Sequence, residues 1–163
     1  MRHSMSLTLA CALLLQVSTL TAQSAAQPTV AAVAGCYALT LGPWQRAGTN
    51  GATNWQTLPG VIRLDTALAA RVPGWRALRA TPSHSRESGP GLGPAWRVGP
   101  TDSIQAFWSD GFVGTRLTLG VRGDTLVGMA TGFTDQLGGP PDPTATARAV
   151  RVACPAGPQR VGW

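Results

Sequence analysis

The chain has 163 residues, of which 44% are hydrophobic and 12% are charged, and it includes 20 Gly and 13 Pro. The charged fraction is low, because globular domains carry about 25% charged residues. The Gly- and Pro-rich composition excludes helical bundles and coiled coils. The six Trp exclude a disordered tail. The formal net charge is +6, but every basic residue is Arg, and these residues are scattered without the stripe that nucleic-acid binders carry. The length favours a single domain.

Residues 1–26 have the layout of a secretory signal peptide. Arg2 and His3 form a basic start, the run 7–15 is apolar, and the residues before Ala26 are small and polar. The apolar run is too short to span the roughly 30 Å of a membrane's hydrocarbon core, so no transmembrane segment is predicted. We therefore expect an exported protein, periplasmic or extracellular, whose mature chain begins with a tether over 27–34.

Two cysteines, Cys36 and Cys154, remain in the mature chain after Cys11 leaves with the signal peptide. An even number of cysteines in an exported chain predicts a disulfide. Because the two residues lie near opposite ends of the mature chain, this bond is expected to stabilise the fold by roughly 4–5 kcal/mol on the chain-entropy model. The alternative is a membrane-anchored lipoprotein, since residues 33–36 (Val-Ala-Gly-Cys) match a bacterial lipobox in which Cys36 is acylated.

Eight segments of the mature chain have the residue pattern of strands. In the first segment, Tyr37 and Leu39 fall on one face with a period of two. Asp-Gly at 110–111 and Arg-Gly-Asp at 122–124 are tight-turn sequences that join three consecutive strands as antiparallel neighbours. A helical turn is expected at 66–71, and no long helix is predicted. The predicted strands are residues 36–41, 60–65, 75–80, 95–98, 103–108, 112–121, 125–133 and 147–154.

These strands favour an all-β fold, an eight-stranded antiparallel up-and-down barrel, because eight is a number at which such a sheet closes on itself. Closure places the last strand beside the first, as a bond between Cys36 and Cys154 requires. The alternative fold is an open β-sandwich. The predicted domain covers 35–156 and is followed by a C-terminal tail at 157–163. Three Gly- and Pro-rich loops interrupt it, at 42–57, 82–94 and 136–146.

Three short features resemble the lipocalin family of small β-barrels. Residues 35–37 (Gly-Cys-Tyr), at the opening of the first strand, are similar to the family's Gly-x-Trp motif, with Tyr in place of Trp. Residues 134–135 (Thr-Asp) are similar to a Thr-Asp turn, and Arg148 or Arg151 corresponds to a late arginine that packs on the first-strand aromatic. The resemblance implies a cup-shaped barrel that takes a small apolar ligand.

Residues suited to catalysis or metal binding are sparse. His84 is the only histidine of the mature chain, flanked by Ser83 and Ser85 in a predicted loop, and a Ser–His pair also needs a rigid third group to orient the base. Zinc sites need three or four nitrogen or sulfur ligands, which one histidine and two disulfide cysteines do not supply. We therefore expect no enzyme activity, no metal and no cofactor.

Tryptophan and strand arginines are the remaining candidates for a site. The tryptophans either fill the core or line a ligand cavity. An inward-facing arginine would indicate an anionic head group in the ligand, because an unpaired buried charge is costly. The candidate ligand-binding residues are Trp75, Trp96, Trp108, Arg63, Arg79 and Arg116.

The sequence therefore predicts an exported, non-enzymatic β-barrel that binds a small hydrophobic or amphipathic ligand. The alternative function is a cell-envelope interaction module, an inhibitor or scaffold that contacts a protein partner through its long loops. Export and the scattered arginines exclude nucleic acid as a partner. The positive net charge predicts only weak attraction to anionic envelope surfaces.

Overall fold

The computed structural model describes residues 27–48, 53, 55, 58–81, 93–109, 112–135 and 139–155. Within these residues the chain forms one short helix and eight strands, and no helix is long and apolar enough to cross a membrane. The predicted signal peptide, the predicted C-terminal tail and His84 lie outside the described residues. The elements are α1 (Val30–Val33), β1 (Gly35–Leu41), β2 (Val61–Leu68), β3 (Arg76–Thr81), β4 (Ala95–Val98), β5 (Ser103–Ser109), β6 (Val113–Arg122), β7 (Thr125–Thr134) and β8 (Thr144–Val152).

The eight strands form a closed barrel. Each strand pairs antiparallel with the next along the chain, and β8 pairs antiparallel with β1, where Tyr37 lies opposite Arg151 and Leu39 opposite Ala149. The predicted all-β class and the up-and-down barrel are therefore confirmed, and the β-sandwich alternative is wrong. Closure pairs β1 with β8, the two strands that would be edges prone to aggregation in an open sheet.

Two strands differ from their predicted bounds by more than one or two residues. β2 continues to Leu68, through the segment predicted as a helical turn, because Leu68 pairs with Arg76 of β3 after a register shift. β8 begins at Thr144 rather than at residue 147, because Thr144 pairs with Thr131 of β7. In both cases pairing with a neighbouring strand overrides the local residue pattern.

Alternation along the strands separates an inner face from an outer face of the barrel. In β6, Thr115, Leu117 and Leu119 are buried, whereas Arg116 and Thr118 are exposed. The buried side chains of all eight strands meet in one hydrophobic cluster inside the barrel. Six inward positions of β7 and β8 carry small residues and form what we call the small-residue wall: Gly128, Ala130, Gly132, Ala145, Ala147 and Ala149.

The two ends of the barrel differ in the length of their connections. At the helix end, where β1 begins with Gly35 and α1 lies, the strands are joined by residues 69–75, 99–102 and 123–124. At the loop end, where β1 finishes with Leu41, they are joined by residues 42–60, 82–94, 110–112 and 135–143. The three Gly- and Pro-rich loops predicted from the sequence therefore all leave the barrel at the loop end.

Helix α1 packs across the helix end of the barrel. The Thr29 hydroxyl caps α1 by accepting a hydrogen bond from the backbone N–H of Ala32 at 3.2 Å. Val33, in the last position of α1, is buried in the core cluster. The segment 27–34, predicted as a tether, thus contains a helix that belongs to the folded barrel.

The predicted disulfide joins the first and last strands of the barrel. Cys36 of β1 is bonded to Cys154, just after β8, with Cα atoms 5.1 Å apart. The disulfide is therefore confirmed. A Cys36 sulfur bonded in this way is not available for the thioether linkage of a lipid anchor.

Candidate ligand site at the loop end of the barrel

The six ligand-binding candidates lie on both faces of the barrel and do not form one site. Trp96 and Trp108 point inward and belong to the core cluster. The other four lie on the outer side, on or beside strand positions that alternate with buried ones: Trp75, Arg63, Arg79 and Arg116.

The three arginines on the outer face have partners there. Arg63 and Arg79 both approach the carboxylate of Asp65, with Nε–Oδ2 distances of 3.9 and 3.2 Å. The guanidinium carbon of Arg116 lies 5.7 Å from the centre of the Phe133 ring. An anionic head group inside the barrel is therefore not indicated by any of these three side chains.

Trp75 takes part in an aromatic cluster on the outer face. Its ring meets the Phe107 ring edge-on, with centroids 4.9 Å apart. The guanidinium carbon of Arg97 lies 4.3 Å from the centre of the Trp75 ring. Trp75 is thus separated by the sheet itself from the two inward-facing tryptophans, and serves as an internal control for them.

Two inward-facing arginines were missed from the sequence, and both lie at the helix end. Arg76 is in register with Trp96, and its Nη1 donates to the backbone carbonyl of Thr66. Arg151 is in register with Tyr37. The period-two alternation of β3 and β8 was the available signal. Both guanidinium groups donate hydrogen bonds to backbone carbonyls, and the two arginines thereby close the helix end of the barrel.

The two inward-facing tryptophans differ in hydrogen bonding. Trp96 is fully buried, and its Nε1 donates to the backbone carbonyl of Asp65 at 2.8 Å. Trp108 is 6% exposed, and its Nε1 has no hydrogen-bond partner among the described residues. Native proteins rarely leave a buried donor unpartnered, because its desolvation is then uncompensated. The Trp108 indole N–H is therefore a buried donor that the described residues leave without an acceptor.

Trp55 covers the loop end beside Trp108. Its Nε1 donates to the Thr115 hydroxyl at 3.1 Å, and Thr115 is fully buried and in register with Trp108. The Trp55 ring lies so close to Gly132 of the small-residue wall that a Cβ added there would overlap it. Glycine at this position is thus required by the close approach of an aromatic ring.

Trp44 supports Trp55 from the same connection. The two rings are 6.2 Å apart between centroids and tilted by 53°, and Trp44 is buried in the core cluster. Gln45 and Thr144 exchange two backbone hydrogen bonds at 2.8 and 2.7 Å, which fixes this part of the chain to β8. Neither Trp44 nor Trp55 was among the candidates from the sequence, because no local pattern relates a loop tryptophan to a strand far along the chain.

Uncharged polar groups are present in the described part of the loop end. They include the Trp108 indole N–H and the Thr115 hydroxyl, set among aromatic rings and the small-residue wall. Within the described part of the chain, no three His, Cys, Asp or Glu side chains lie close enough to hold a metal ion. The arrangement is suited to holding an apolar molecule that carries a neutral polar group.

No protein-family model matches the chain, and neither the curated proteins nor the solved structures include a significant match. The resemblance of three short sequence features to lipocalins can therefore be compared only with the geometry of the barrel. Of the two late arginines, Arg151 packs on Tyr37, with the guanidinium carbon 4.9 Å from the ring centre, whereas Arg148 is exposed. The closed, eight-stranded antiparallel sheet fits the architecture of a lipocalin-like small barrel.

Proposed function

We propose that this protein is an exported, non-enzymatic barrel that binds a small hydrophobic or amphipathic molecule in its interior, at the loop end. The observation that carries the proposal is the buried Trp108 indole N–H, which lacks a partner in the described structure and sits beside the small-residue wall. Ligand sites are concave and mostly apolar, with a few placed polar groups. The disulfide between Cys36 and Cys154 supports export, because such bonds persist in oxidising compartments.

The difference between the two barrel ends supports entry at the loop end. At the helix end, α1, two arginine–backbone contacts and the disulfide tie the chain together. At the loop end, the described cover includes the side chains of Trp44 and Trp55. A side chain can change rotamer quickly, whereas hydrogen-bonded backbone segments separate slowly and a disulfide does not open without reduction.

The small-residue wall supports a flat or extended apolar ligand. Its six inward positions carry no side chain longer than a methyl group. Other strands contribute bulky groups to the interior, among them Trp96 of β4 and Trp108 of β5. An apolar molecule that lies along the wall makes van der Waals contact with backbone and methyl groups on one side and with aromatic rings on the other.

The test is a titration of the mature protein, from residue 27, followed by tryptophan fluorescence. The probes are medium-chain molecules: decan-1-ol, decan-2-one, decanoate and 2-methyldec-1-ene. We expect a saturable change in emission with at least one probe. Trp108→Phe should alter the response, and Trp75→Phe, on the outer face, should leave the affinity unchanged. Lack of a saturable response to every probe contradicts the proposal.

The alternative, a cell-envelope interaction module, is favoured by one specific feature of the loop end. Phe112 is 69% exposed there, and its carbonyl accepts a hydrogen bond from the backbone N–H of Asp135 at 2.8 Å. This contact holds Phe112 beside Asp135, with an aromatic ring at the surface. If Phe112→Ala abolishes a protein interaction of the wild-type chain while probe binding persists, the interaction module is the better description.

A further inference from the structure

We infer that the interior ligand carries a neutral hydrogen-bond acceptor, such as a ketone, ester or ether oxygen, which accepts from Nε1 of Trp108. The inference rests on the proposed function and adds the chemical class of the ligand. An indole N–H is a donor only, so the group that satisfies it must be an acceptor.

The comparison of two indoles in one core supports this assignment. Both Trp96 and Trp108 point inward and are buried. The Trp96 N–H has a backbone acceptor, the carbonyl of Asp65, at 2.8 Å. No described residue supplies an acceptor to Trp108 Nε1. The backbone of the protein thus supplies an acceptor to the Trp96 N–H, whereas the Trp108 N–H is available to an acceptor from a ligand.

The neighbours of Trp108 indicate where that acceptor lies. Thr115 is opposite Trp108 on β6, but its hydroxyl accepts from Trp55 Nε1 at 3.1 Å and not from Trp108 Nε1. Trp55 in turn rests on Gly132, at the loop-end part of the small-residue wall. The polar end of the ligand therefore lies near the loop end, beside Trp55 and Thr115.

The charges around the interior favour a neutral ligand. The two inward-facing arginines, Arg76 and Arg151, are at the helix end and donate to backbone carbonyls. The inward-facing neighbours of Trp108 on β5 and β6, which are Ala106, Thr115 and Leu117, are uncharged. Burying a carboxylate against a single neutral N–H is unfavourable, because the charge loses its hydration without an ionic partner.

The test compares two probes of the same shape that differ in one atom group. Decan-2-one carries a carbonyl oxygen where 2-methyldec-1-ene carries a CH₂, and decanoate supplies the charged counterpart. For the wild-type mature protein we expect a Kd for the ketone about fivefold lower than for the alkene, which corresponds to one ordinary hydrogen bond. Decanoate at neutral pH should bind more weakly than the ketone.

Two variants locate the acceptor contact. Trp108→Phe removes the donor and should make the ketone and alkene affinities equal, while Trp75→Phe should preserve the difference. In the wild-type protein, the assigned indole N–H resonance of Trp108 should move downfield with the ketone and not with the alkene. This NMR measurement does not depend on the stability of a variant.

The outcomes separate this inference from the proposed function. Equal wild-type affinities for ketone and alkene, or an unchanged Trp108 indole resonance on ketone binding, overturn the acceptor assignment but leave interior binding intact. Tighter binding of decanoate than of the ketone overturns the neutral class. Absence of binding by every probe overturns the proposed function itself.

Discussion

The guanidinium group of Arg151 lies over the ring of Tyr37, with its central carbon 4.9 Å from the ring centre. This contact links β8, the last strand, to β1, the first strand. Nη1 and Nη2 of Arg151 donate to the carbonyl oxygens of Ala34 and Ala32 at 2.9 and 2.7 Å. The Tyr37 hydroxyl donates to the carbonyl of Val33 at 2.7 Å. Arg151 of β8 and Tyr37 of β1 thus hold α1 against the helix end of the barrel.

Glycine at position 35 is required by the same arrangement. Gly35 has a φ of +146°, which side-chain-bearing residues rarely adopt. A Cβ at this position would also collide with Nη1 of Arg151. The Gly-Cys-Tyr motif therefore combines a backbone turn with a path for the arginine to reach α1.

We expect Arg151→Met to lower the free energy of unfolding by about 2–3 kcal/mol, because it removes two hydrogen bonds from a charged donor and a cation–π contact. Arg148→Met, on the exposed face of the same strand, is the control and should change it by less than about 0.5 kcal/mol. Urea unfolding followed by tryptophan fluorescence measures both. Equal effects of the two substitutions contradict the structural role of Arg151.

The ionisation of Tyr37 gives a pH dependence that can be read directly. Burial raises the pKa of the Tyr37 hydroxyl above its ordinary value of 10.0, and the nearby Arg151 opposes this only in part. Because the pKa is higher in the folded state, the protonated Tyr37 hydroxyl contributes to the free energy of unfolding. This contribution is fully present below pH 10.0 and is lost as pH rises through the folded-state pKa.

Tyr37 is the only tyrosine of the chain, so tyrosinate absorbance at about 295 nm reports this residue alone. The titration midpoint should lie above 10.0 in the folded protein and return to that value in guanidinium chloride. A midpoint that is the same in folded and unfolded protein contradicts the burial of the hydroxyl.

The close approach of Trp55 to Gly132 predicts a sharp response to one methyl group. In Gly132→Ala the new Cβ overlaps the Trp55 ring, so we expect Trp55 to leave Thr115, the emission to shift to the red, and the unfolding free energy to fall by about 1–3 kcal/mol. In Gly120→Ala, a control in the neighbouring strand, the new Cβ meets its nearest atom at an ordinary 3.8 Å. The same emission spectrum for both variants argues against the Trp55 contact.

The two buried indoles predict unequal costs for the same substitution. Trp96→Phe leaves the Asp65 carbonyl without its donor, whereas Trp108→Phe removes an N–H that no described residue accepts. Both lose similar volume, so Trp96→Phe should be the more destabilising by about 1–3 kcal/mol. Thermal unfolding by circular dichroism, without added ligand, measures the difference. A larger loss for Trp108→Phe means that its N–H is satisfied in the folded protein.

The disulfide predicts a large loss of stability on reduction. The bond closes a loop with a sequence separation of 118, and its removal in Cys36→Ser/Cys154→Ser should lower the unfolding free energy by roughly 4–5 kcal/mol on the chain-entropy model. The intact mass of the mature wild-type protein should be lower than that of its reduced form by two hydrogens. A mass increase that matches acyl groups instead indicates a lipid anchor.

Local sequence patterns were sufficient for much of the fold. Alternation of polar and apolar residues with a period of two located the strands, since side chains of a strand point alternately to opposite faces. Asp-Gly and Arg-Gly-Asp predicted tight turns, and the turn at 123–124 is present, while 110–111 lies outside the described residues. The pairing of Cys36 with Cys154 followed from their number, because only two cysteines remain after the predicted cleavage.

The functional site depended on contacts that no local pattern contains. Alternation divides a strand into two faces but does not state which face is inward, so Trp75 and Trp108 were grouped although the sheet separates them. The Trp55–Thr115 hydrogen bond spans 60 residues, and the choice of Arg151 over Arg148 depends on the β1–β8 register. Strand register and barrel closure are set by the packing of the whole sheet, so only the tertiary structure decides which side chains meet.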